Sequence, residues 1–249
     1  MTKGVFITAT DTGVGKTIAS AMLIRALIRK GINAGAMKPF ETGCIRQGSN
    51  LFPSDGVFLK QMAGMDDPVD SIAPVRFELP LAPLVASRLE KRVVNIENIF
   101  KSYEHLGKKY DFMVVEGAGG ILVPVLSQEG VSGSSALFIA DIIKLLNIPL
   151  IVVSRPTLGT INHTLLTVKY ALNAGLKVIG VIINYNNPPG VDISEKTNPD
   201  IITELCPAPV IGILPYAHTL TKEYFDMVVS HSCKDMFDSI IGKIIDINE

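Results

Sequence analysis

The stretch Val-Phe-Ile-Thr-Ala-Thr-Asp-Thr-Gly-Val-Gly-Lys-Thr, residues 5–17, decides the fold that this sequence predicts. Its first three residues are apolar and predict a buried strand, and a short polar turn follows them. Residues 18–30 repeat apolar side chains at helical spacing, and Gly31 suits the position just beyond a helix end. A strand, a glycine-rich turn ending in Gly-Lys-Thr and a helix are together the context expected of a phosphate-binding loop.

The turn predicts a polyphosphate site, because backbone N–H groups and the positive end of the helix converge there. Lys16 is expected to neutralise the β- and γ-phosphates, and the Thr17 hydroxyl is expected to ligate Mg²⁺. The loop is one residue longer than the common pattern, since Thr10 stands where the first glycine is usual and the small residue is Ala9. A glycine-rich turn that merely precedes a helix remains the alternative.

Length and composition favour one α/β domain spanning residues 1–249. The 23 basic and 24 acidic residues nearly cancel, and no long basic run predicts a nucleic-acid surface. No apolar run reaches the length of a membrane span, and no signal peptide is expected before the first strand. Cys44, Cys206 and Cys233 are odd in number and lack paired spacing, which favours a reducing, cytoplasmic location.

Strand and helix patterns alternate along the chain, which predicts a single-domain P-loop-type α/β fold with a doubly wound, mainly parallel sheet and helices on both faces. We predict further strands at residues 34–37, 112–116, 150–153, 178–183 and 210–214. We predict helices at residues 55–63, 83–91, 95–106, 160–174, 221–231 and 234–246, and another that ends near residue 146.

Turn and cap patterns suggest where several of these elements begin. Ser54 is expected to cap the helix at 55–63, and Ser134 or Ser135 the helix that ends near 146. Pro199 is expected to open a short helix as its first residue. Residues 41–54 are predicted to be a polar loop, and residues 66–81, with Pro68, Pro74 and Pro80, to be irregular.

Ligands of such sheets lie beyond the carboxyl ends of the strands, where Lys38, Glu116, Arg155 and Asn184 occur. Lys38 is either a second cation in the phosphate crevice or a solvated surface lysine. Glu116 stands where a Walker-B carboxylate would lie. Asp55 is either a second metal ligand or an ordinary helix-start acid, and its position alone favours the latter.

Residues 158–163, Leu-Gly-Thr-Ile-Asn-His, follow a strand and open a helix. Their free N–H groups could bind a second anion such as a carboxylate, and the alternative is an ordinary helix start. No histidine of the chain has a metal-ligand partner at the required spacing, so core packing or solvent exposure is expected for all four. They are His105, His163, His218 and His231.

Taken together, these motifs resemble those of the dethiobiotin synthetase family. The matching residues are 9–17 (Ala-Thr-Asp-Thr-Gly-Val-Gly-Lys-Thr), Lys38-Pro39, Thr42-Gly43, Ser54-Asp55, 115–120 (Val-Glu-Gly-Ala-Gly-Gly), Leu158-Gly159, Ile161-Asn162-His163, Asn184, Pro207-Ala208-Pro209, Gly212 and Pro215. The long loop is itself a mark of this family. Ala9 and Gly13 depart from it, since glycine and glutamate are familiar there. Gly13 removes one possible nucleotide contact and leaves the phosphate cradle intact.

The resemblance implies an ATP-dependent ligase that carboxylates 7,8-diaminononanoate with CO₂ and closes the ureido ring to give dethiobiotin, ADP and phosphate. It implies a carbamate and then a carbamic-phosphoric mixed anhydride, with Mg²⁺ as the cofactor. It also implies a homodimer whose substrate site lies at the subunit interface. The last thirty or so residues carry no motif of the family.

The resemblance assigns a role to each matching residue. It implies catalytic residues Lys16, Lys38 and Thr12, and metal ligands Thr17, Asp55 and Glu116. It implies nucleotide-binding residues Gly13, Val14, Gly15, Lys16, Thr17, Ile18, Glu116, Asn184 and Pro215. It implies substrate-binding residues Thr12, Lys38 and Thr42, with the turn Gly159, Thr160, Ile161 and Asn162 taking the substrate's carboxylate from the other subunit.

Two other protein classes share the phosphate-binding loop. A cobyrinate-type synthetase would normally bring a glutaminase domain, for which this chain is too short. A partition-type ATP switch usually carries a lysine early in the loop, where residues 9–12 have none. Such switches can also end in a membrane-seeking basic helix, whereas the final helix here balances acidic and basic residues.

Overall fold

The strands and helices described here come from a computed structural model of the chain, which describes residues 2–128, 135–188, 190 and 192–248. The strands are β1 Gly4–Ala9, β2 Ala34–Met37, β3 Phe40–Glu41, β4 Ile45–Gln47, β5 Asn50–Phe52, β6 Val75–Arg76, β7 Phe112–Glu116, β8 Pro124–Gln128, β9 Ser135–Phe138, β10 Leu150–Ser154, β11 Val178–Asn184 and β12 Val210–Leu214. The helices are α1 Lys16–Arg29, α2 Ser54–Ala63, α3 Val69–Ile72, α4 Pro83–Glu90, α5 Ile96–Gly107, α6 Ile139–Leu146, α7 Thr160–Asn173, α8 Ile193–Leu205, α9 Lys222–Met227 and α10 Lys234–Asn248.

The central sheet has six parallel strands in the order β12-β11-β10-β1-β7-β2. Four of them, β1, β2, β7 and β10, are buried at every position, which is why they are runs of apolar residues without alternation. Helix α1 packs on β1 and β7 and against α2, α9 and α10, while α7 packs on β10 and β11 and against α8. The predicted fold class is confirmed.

Because the strands are parallel, their carboxyl ends share one edge of the sheet, and the polar residues that follow them meet there. Strand β1 lies between β10 and β7, so the loop after β1 is flanked by the ends of both neighbours. Glu116 ends β7, next to β1, and Asn184 ends β11, two strands from β1 on the other side. The topology therefore gathers the candidate residues around the loop at residues 10–15.

Two stretches that were predicted to be irregular contain short strands and a helix. Strands β4 and β5 pair as an antiparallel hairpin, and Gly48 makes its turn at φ 62°. Strand β3 pairs with β6, and α3 lies between α2 and β6. Strands of two or three residues carry too little periodicity to be recognised from sequence.

Two predicted helix caps are wrong. Helix α2 has Pro53 at its N-cap, so Ser54 is the first helical residue and not the cap. Ser135 belongs to β9, and α6 begins only at Ile139, where the Asp141 carboxylate accepts the backbone N–H of Phe138. Ser134, the other candidate cap, lies outside the described residues.

Helix α8 begins six residues before Pro199, so the prediction that this proline opens the helix is also wrong. The Asp192 carboxylate caps the helix by accepting the N–H of Ser194 at 2.9 Å. The helix predicted at 221–231 is interrupted, because a π-helical turn, Val228–Ser232, follows α9. Several helices thus begin or end at residues other than those predicted, whereas the main strands and helices follow one another in the predicted order.

Candidate active site

The loop between β1 and α1 turns through two glycines with positive φ, 72° at Gly13 and 93° at Gly15. A Cβ on Gly15 would lie 2.1 Å from Nδ2 of Asn184, so a side chain is excluded on steric as well as conformational grounds. The Asn184 amide donates to the carbonyl of Val14 at 2.9 Å, and the Asn186 amide donates to that of Gly13 at 2.8 Å. The loop is therefore held in place from the end of β11.

Lys16 is the first residue of α1, and only 7% of its surface is exposed. Its Nζ lies 3.4 Å from the backbone oxygen of Asp11. Burial lowers the pKa of Lys16 to about 8, and Lys38 adds to this shift while Glu116 opposes it. The loop thus holds a poorly solvated ammonium group at a helix N-terminus, an environment that favours an anion.

Lys38, just beyond β2, is buried between two carboxylates. Its Nζ lies 2.6 Å from Oδ2 of Asp55 and 2.5 Å from Oε1 of Glu116. Burial acts to lower the pKa of Lys38, but the two carboxylates outweigh it and raise the pKa above its ordinary value. Of the two possibilities raised by the sequence, the structure contradicts the solvated surface lysine.

Three of the predicted side chains form a set of hard oxygen donors. The Thr17 hydroxyl donates to Oε1 of Glu116 at 2.9 Å, and Lys38 joins Glu116 to Asp55. The other oxygen of Glu116 is buried and has no hydrogen-bond partner among the described residues. A hydroxyl and two carboxylates suit Mg²⁺, whose remaining ligands would be phosphate oxygens and water.

Nothing in the described part of the chain gathers three or more acidic, histidine or cysteine side chains in a metal-binding cluster. With two carboxylates and one hydroxyl, the donor set at Thr17, Asp55 and Glu116 suits a metal that arrives with a nucleotide.

Two cavities meet at this edge of the sheet. The smaller has a volume of about 380 Å³ and contains the loop, the donor set and Lys38. The larger, of about 580 Å³, is mainly apolar and shares Thr12, Thr42, Ala118 and Gly119 with it. Its other lining residues include Pro80, Leu81, Pro83, Ile121, Leu122, Leu166 and Tyr170. A chamber for charged groups thus opens into a groove for an apolar chain.

The structure brings most of the predicted site residues together, but not all of them. Gly13, Gly15, Ile18 and Thr42 line the smaller cavity with the residues already described. Neither cavity is lined by Val14, Asn184, Pro215 or the turn at Gly159, Thr160, Ile161 and Asn162. Asn184 lies beneath the loop with its Oδ1 buried and unpaired within the described chain.

The predicted carboxylate turn has an ordered geometry of its own. Gly159 has φ 90°, and α7 begins at the buried Thr160. The Asn198 amide donates to the carbonyls of Pro156 and Thr157 at 2.8 and 3.1 Å, which ties the turn to α8. The turn is therefore fixed in shape, although it contributes to neither cavity.

Sequence reasoning missed Glu41, which ends β3 and is 4% exposed. Its two carboxylate oxygens accept the N–H groups of Asp55 and Gly56 at 2.9 and 2.8 Å. Burial raises the pKa of Glu41, although Lys38 and the two N–H groups oppose this shift. The sequence signal was indirect: a helix that starts after Pro53 lacks a capping side chain of its own.

Comparisons with known proteins agree with this geometry. Residues 3–224 match a family model described as an AAA domain. A protein of Thermodesulfovibrio yellowstonii, named ATP-dependent dethiobiotin synthetase, is 51% identical over 90% of this chain and 92% of its own length. This chain belongs to the dethiobiotin synthetase family.

Other dethiobiotin synthetases match over most of their length. The protein of Bacillus subtilis is 41% identical over 94% of both chains, and that of Aquifex aeolicus is 43% identical over 84% of this chain and 86% of its own. Family membership confirms the predicted enzyme class, an ATP-dependent ligase.

Solved structures with low sequence identity confirm the P-loop fold alone. A MinC:MinD cell division complex of Aquifex aeolicus aligns with a TM-score of 0.55 at 16% identity, over 96% of each chain. The pNOB8 ParA protein bound to nonspecific DNA aligns with a TM-score of 0.58 at 13% identity, over 99% of each chain. In the described segments, every helix is too short or too polar to cross a bilayer.

Proposed function

We propose that this synthetase uses ATP to carboxylate 7,8-diaminononanoate with CO₂ and to close the ureido ring of dethiobiotin. The observation that carries the proposal is the continuity of two cavities, a charged chamber with two buried lysines and an apolar groove. A diamine with a long methylene chain fits this pair, because its nitrogens need the chamber and its chain needs the groove.

The proposed reaction begins when one substrate amine attacks CO₂, loses a proton and becomes a carbamate. A carbamate oxygen then attacks the γ-phosphorus of ATP, and the bond to ADP breaks. The second amine attacks the carbonyl carbon of the resulting carbamic-phosphoric mixed anhydride, loses a proton and expels phosphate. The new C–N bond closes the ring.

The phosphoryl transfer brings two anions together, so the protein must offset their repulsion. Lys16 is proposed to contact the β- and γ-phosphates, and Lys38 the carbamate and the transferring phosphoryl group. Thr12 and Thr42, which line both cavities, would hold the carbamate end of the substrate. Mg²⁺, held by Thr17, Asp55 and Glu116, would neutralise charge on the nucleotide phosphates.

The remaining predicted residues are proposed to orient the two substrates. Residues 13–18 would cradle the phosphates through their backbone, with Asn184 and Pro215 near the base. The buried, unpaired Oδ1 of Asn184 is an acceptor that could meet an exocyclic amine.

We infer that the turn Gly159–Asn162 binds the substrate's tail carboxylate in the partner subunit of a homodimer. Two observations support this arrangement: the turn lines neither cavity of its own chain, and it lies at the N-terminus of a long helix. The reaction needs no membrane or nucleic acid, and we propose that it takes place in the cytoplasm.

The test is whether ATP turnover by the purified protein requires both the diamine and bicarbonate. We expect phosphate release only when both are present, with dethiobiotin formed in equal amount by mass spectrometry. The matched control replaces the diamine by nonanoate, which has the chain and the carboxylate but no amines. Equal ATP hydrolysis with and without the diamine would contradict the proposal and favour an ATP switch.

A further inference from the structure

Glu41 supplies helix α2 with the acceptors that a helix usually obtains from its own N-cap residue. Pro53 occupies the N-cap and has no side-chain acceptor. The Glu41 carboxylate instead accepts Asp55 N–H through Oε1 at 2.9 Å and Gly56 N–H through Oε2 at 2.8 Å. Both oxygens therefore accept a backbone amide of the first helical turn.

The cap comes from an element that is anchored independently of α2. Strand β3 pairs with β6, and the Glu41 carbonyl accepts the N–H of Phe77 at 2.9 Å. At the helix, a Cβ on Gly56 would lie 3.3 Å from Oε2 of Glu41 and 3.0 Å from the side chain of Ala73. The first turn of α2 therefore lies closely between the carboxylate and Ala73, the residue after α3.

The residue whose amide is held in this way is Asp55, whose carboxylate reaches Lys38 at 2.6 Å. The side chain of Asp55 is partly exposed, and its described contact is the one with Lys38. Its position thus depends on where the backbone of the first helical turn lies. A cap that fixes this backbone also fixes the distance from Asp55 to Lys38 and Glu116.

We propose that Glu41 is a positioning residue that sets the first turn of α2 so that Asp55 can serve as a metal ligand. The inference rests on the proposed function, which assigns Asp55 to the metal. Without the two acceptors, two amides in the first turn would lose their partners and the turn would shift toward solvent. Asp55 would then have to be drawn back whenever the metal binds, which weakens metal binding.

The experiment measures the thermal midpoint of the ADP-saturated protein as Mg²⁺ is added, for wild type, Glu41→Ala and Glu41→Gln. Each protein is compared with its own metal-free ADP form, so a uniform loss of stability cancels. We expect Glu41→Ala to raise the Mg²⁺ concentration of half-maximal stabilisation by at least about fivefold, the factor that corresponds to a lost helix cap. Glu41→Gln keeps one acceptor, so its Mg²⁺ concentration of half-maximal stabilisation should lie between those of wild type and Glu41→Ala.

The matched control is Asn95→Ala, which removes the cap of α5, where Asn95 Oδ1 accepts the N–H of Asn98. It should lower the melting temperature but leave the Mg²⁺ midpoint unchanged. ADP affinity without Mg²⁺ should stay at the wild-type value in every variant. An unchanged Mg²⁺ midpoint in folded Glu41→Ala would overturn the inference. If that variant does not fold, an unchanged midpoint in Glu41→Gln overturns it.

Asp55→Asn separates this inference from the proposed function. If Asp55→Asn raises the Mg²⁺ midpoint and Glu41→Ala does not, the metal assignment stands and the positioning role is wrong. If neither variant raises it, the assignment of Asp55 to the metal is itself wrong. If both raise it, Glu41→Gln should add little in the Asp55→Asn background, because both changes act on the same ligand.

Discussion

At the scale of single residues, Lys16 and Lys38 are both buried, but their surroundings shift their pKa values in opposite directions. Lys38 lies between two carboxylates that stabilise its charge, whereas burial lowers the pKa of Lys16 to about 8. The protein therefore supplies counter-charges for one ammonium group and leaves the other in need of an anion. A nucleotide phosphate is the anion that the surrounding loop is shaped to receive.

Lys16→Ala should abolish phosphoryl transfer while the fold survives. Removing one preorganised cation from the reacting phosphates is expected to lower turnover on the order of a thousandfold. The measurement is steady-state turnover beside circular dichroism and the melting temperature. Lys101→Ala is the control, since this lysine is exposed on α5 and should be neutral. Wild-type turnover in folded Lys16→Ala would rule out the assigned role.

Lys38→Met should slow the chemical step more than it weakens ATP binding, because Lys38 is assigned to the carbamate and the transferring phosphoryl group. The experiment compares ATP affinity with the single-turnover rate on bound ATP. A collapse of affinity with an unchanged rate would make Lys38 a nucleotide anchor instead.

At the scale of elements, helix α8 contains a proline that would normally break it. Pro199 has no N–H, so the carbonyl of Glu195 one turn earlier loses its helical partner. The Tyr185 hydroxyl donates to this carbonyl at 2.8 Å. Because Tyr185 follows Asn184, the same contact ties α8 to the end of β11 beside the nucleotide loop.

Tyr185→Phe should destabilise the protein by about 1 kcal/mol, because it leaves a helix carbonyl without a partner. In a Pro199→Ala background the same change should cost less, since the alanine N–H can pair with the Glu195 carbonyl. Urea denaturation of the four proteins in this double-mutant cycle measures the difference. Equal costs in both backgrounds would show that the contribution of the hydroxyl does not depend on the N–H that Pro199 lacks.

A second element-level contact joins the loop after α2 to the loop after α5. The Asp67 side chain, 3% exposed, lies 2.5 Å from Nζ of Lys109 and accepts the Tyr110 hydroxyl at 2.5 Å. Burial acts to raise the pKa of Asp67, but hydrogen bonds from Lys109 and Tyr110 outweigh it and hold the pKa below its usual range. The ionised carboxylate therefore stabilises the folded chain.

Asp67→Asn should destabilise the protein at pH 7 by about 1–3 kcal/mol, toward the lower end because Lys109 is half-exposed. The pKa of Asp67 is lower in the folded chain, so the benefit is present above the unfolded pKa of about 4 and is lost as the pH falls through the folded value. Denaturation midpoints at pH 7 and pH 3 for wild type, Asp67→Asn and the exposed control Asp66→Asn measure this. A gap between wild type and Asp67→Asn that stays constant with pH would contradict it.

At the scale of the whole molecule, the two cavities lie at the carboxyl ends of the parallel strands. The predicted carboxylate turn lines neither of them. MinD and ParA share this architecture, so the fold alone does not select ligase chemistry. The chemistry of this chain must therefore be argued from its own site, where Lys38 contacts two carboxylates next to an apolar groove. In the proposed function, the turn of a second subunit completes the site.

Mixed dimers test whether each site is shared between subunits. Lys16→Ala disables the phosphate-binding part of the site. Asn162 is exposed, and Asn162→Glu places a negative charge at the turn that is proposed to bind the substrate's carboxylate. Each homodimer should be nearly inactive, whereas a mixed dimer has one site with neither lesion. Equal random mixing should restore roughly a quarter of wild-type activity. A mixed dimer, confirmed by mass, that shows no activity beyond its parents would contradict the shared site.

The inverse mixture is the matched control. A chain carrying both Lys16→Ala and Asn162→Glu is mixed with wild type in equal amounts. If the sites are shared, every site of a mixed dimer carries one lesion, and only the wild-type dimers, roughly a quarter of the total, remain active. If each site lies within one chain, roughly half of the activity remains.

The sequence by itself determined the fold class and the centre of the site. The first strand, the glycine-rich loop and the helix after it lie within about thirty residues, and each has a recognisable periodicity or motif. The other long strands are likewise recognisable as short apolar runs. Because parallel strands end at the same edge, the positions of Lys38 and Glu116 followed from the same pattern.

Only the tertiary structure decided which groups touch. The Glu41 carboxylate accepts amides that lie 14 and 15 positions further along the chain. The contact between Thr17 and Glu116 spans 99 positions. Side-chain periodicity reports burial but not which distant partner a polar group meets, so the short strands, the start of α8 and the cap of α2 were missed. The pairing of Lys38 with two carboxylates likewise exists only because folding places three separate elements within hydrogen-bond distance.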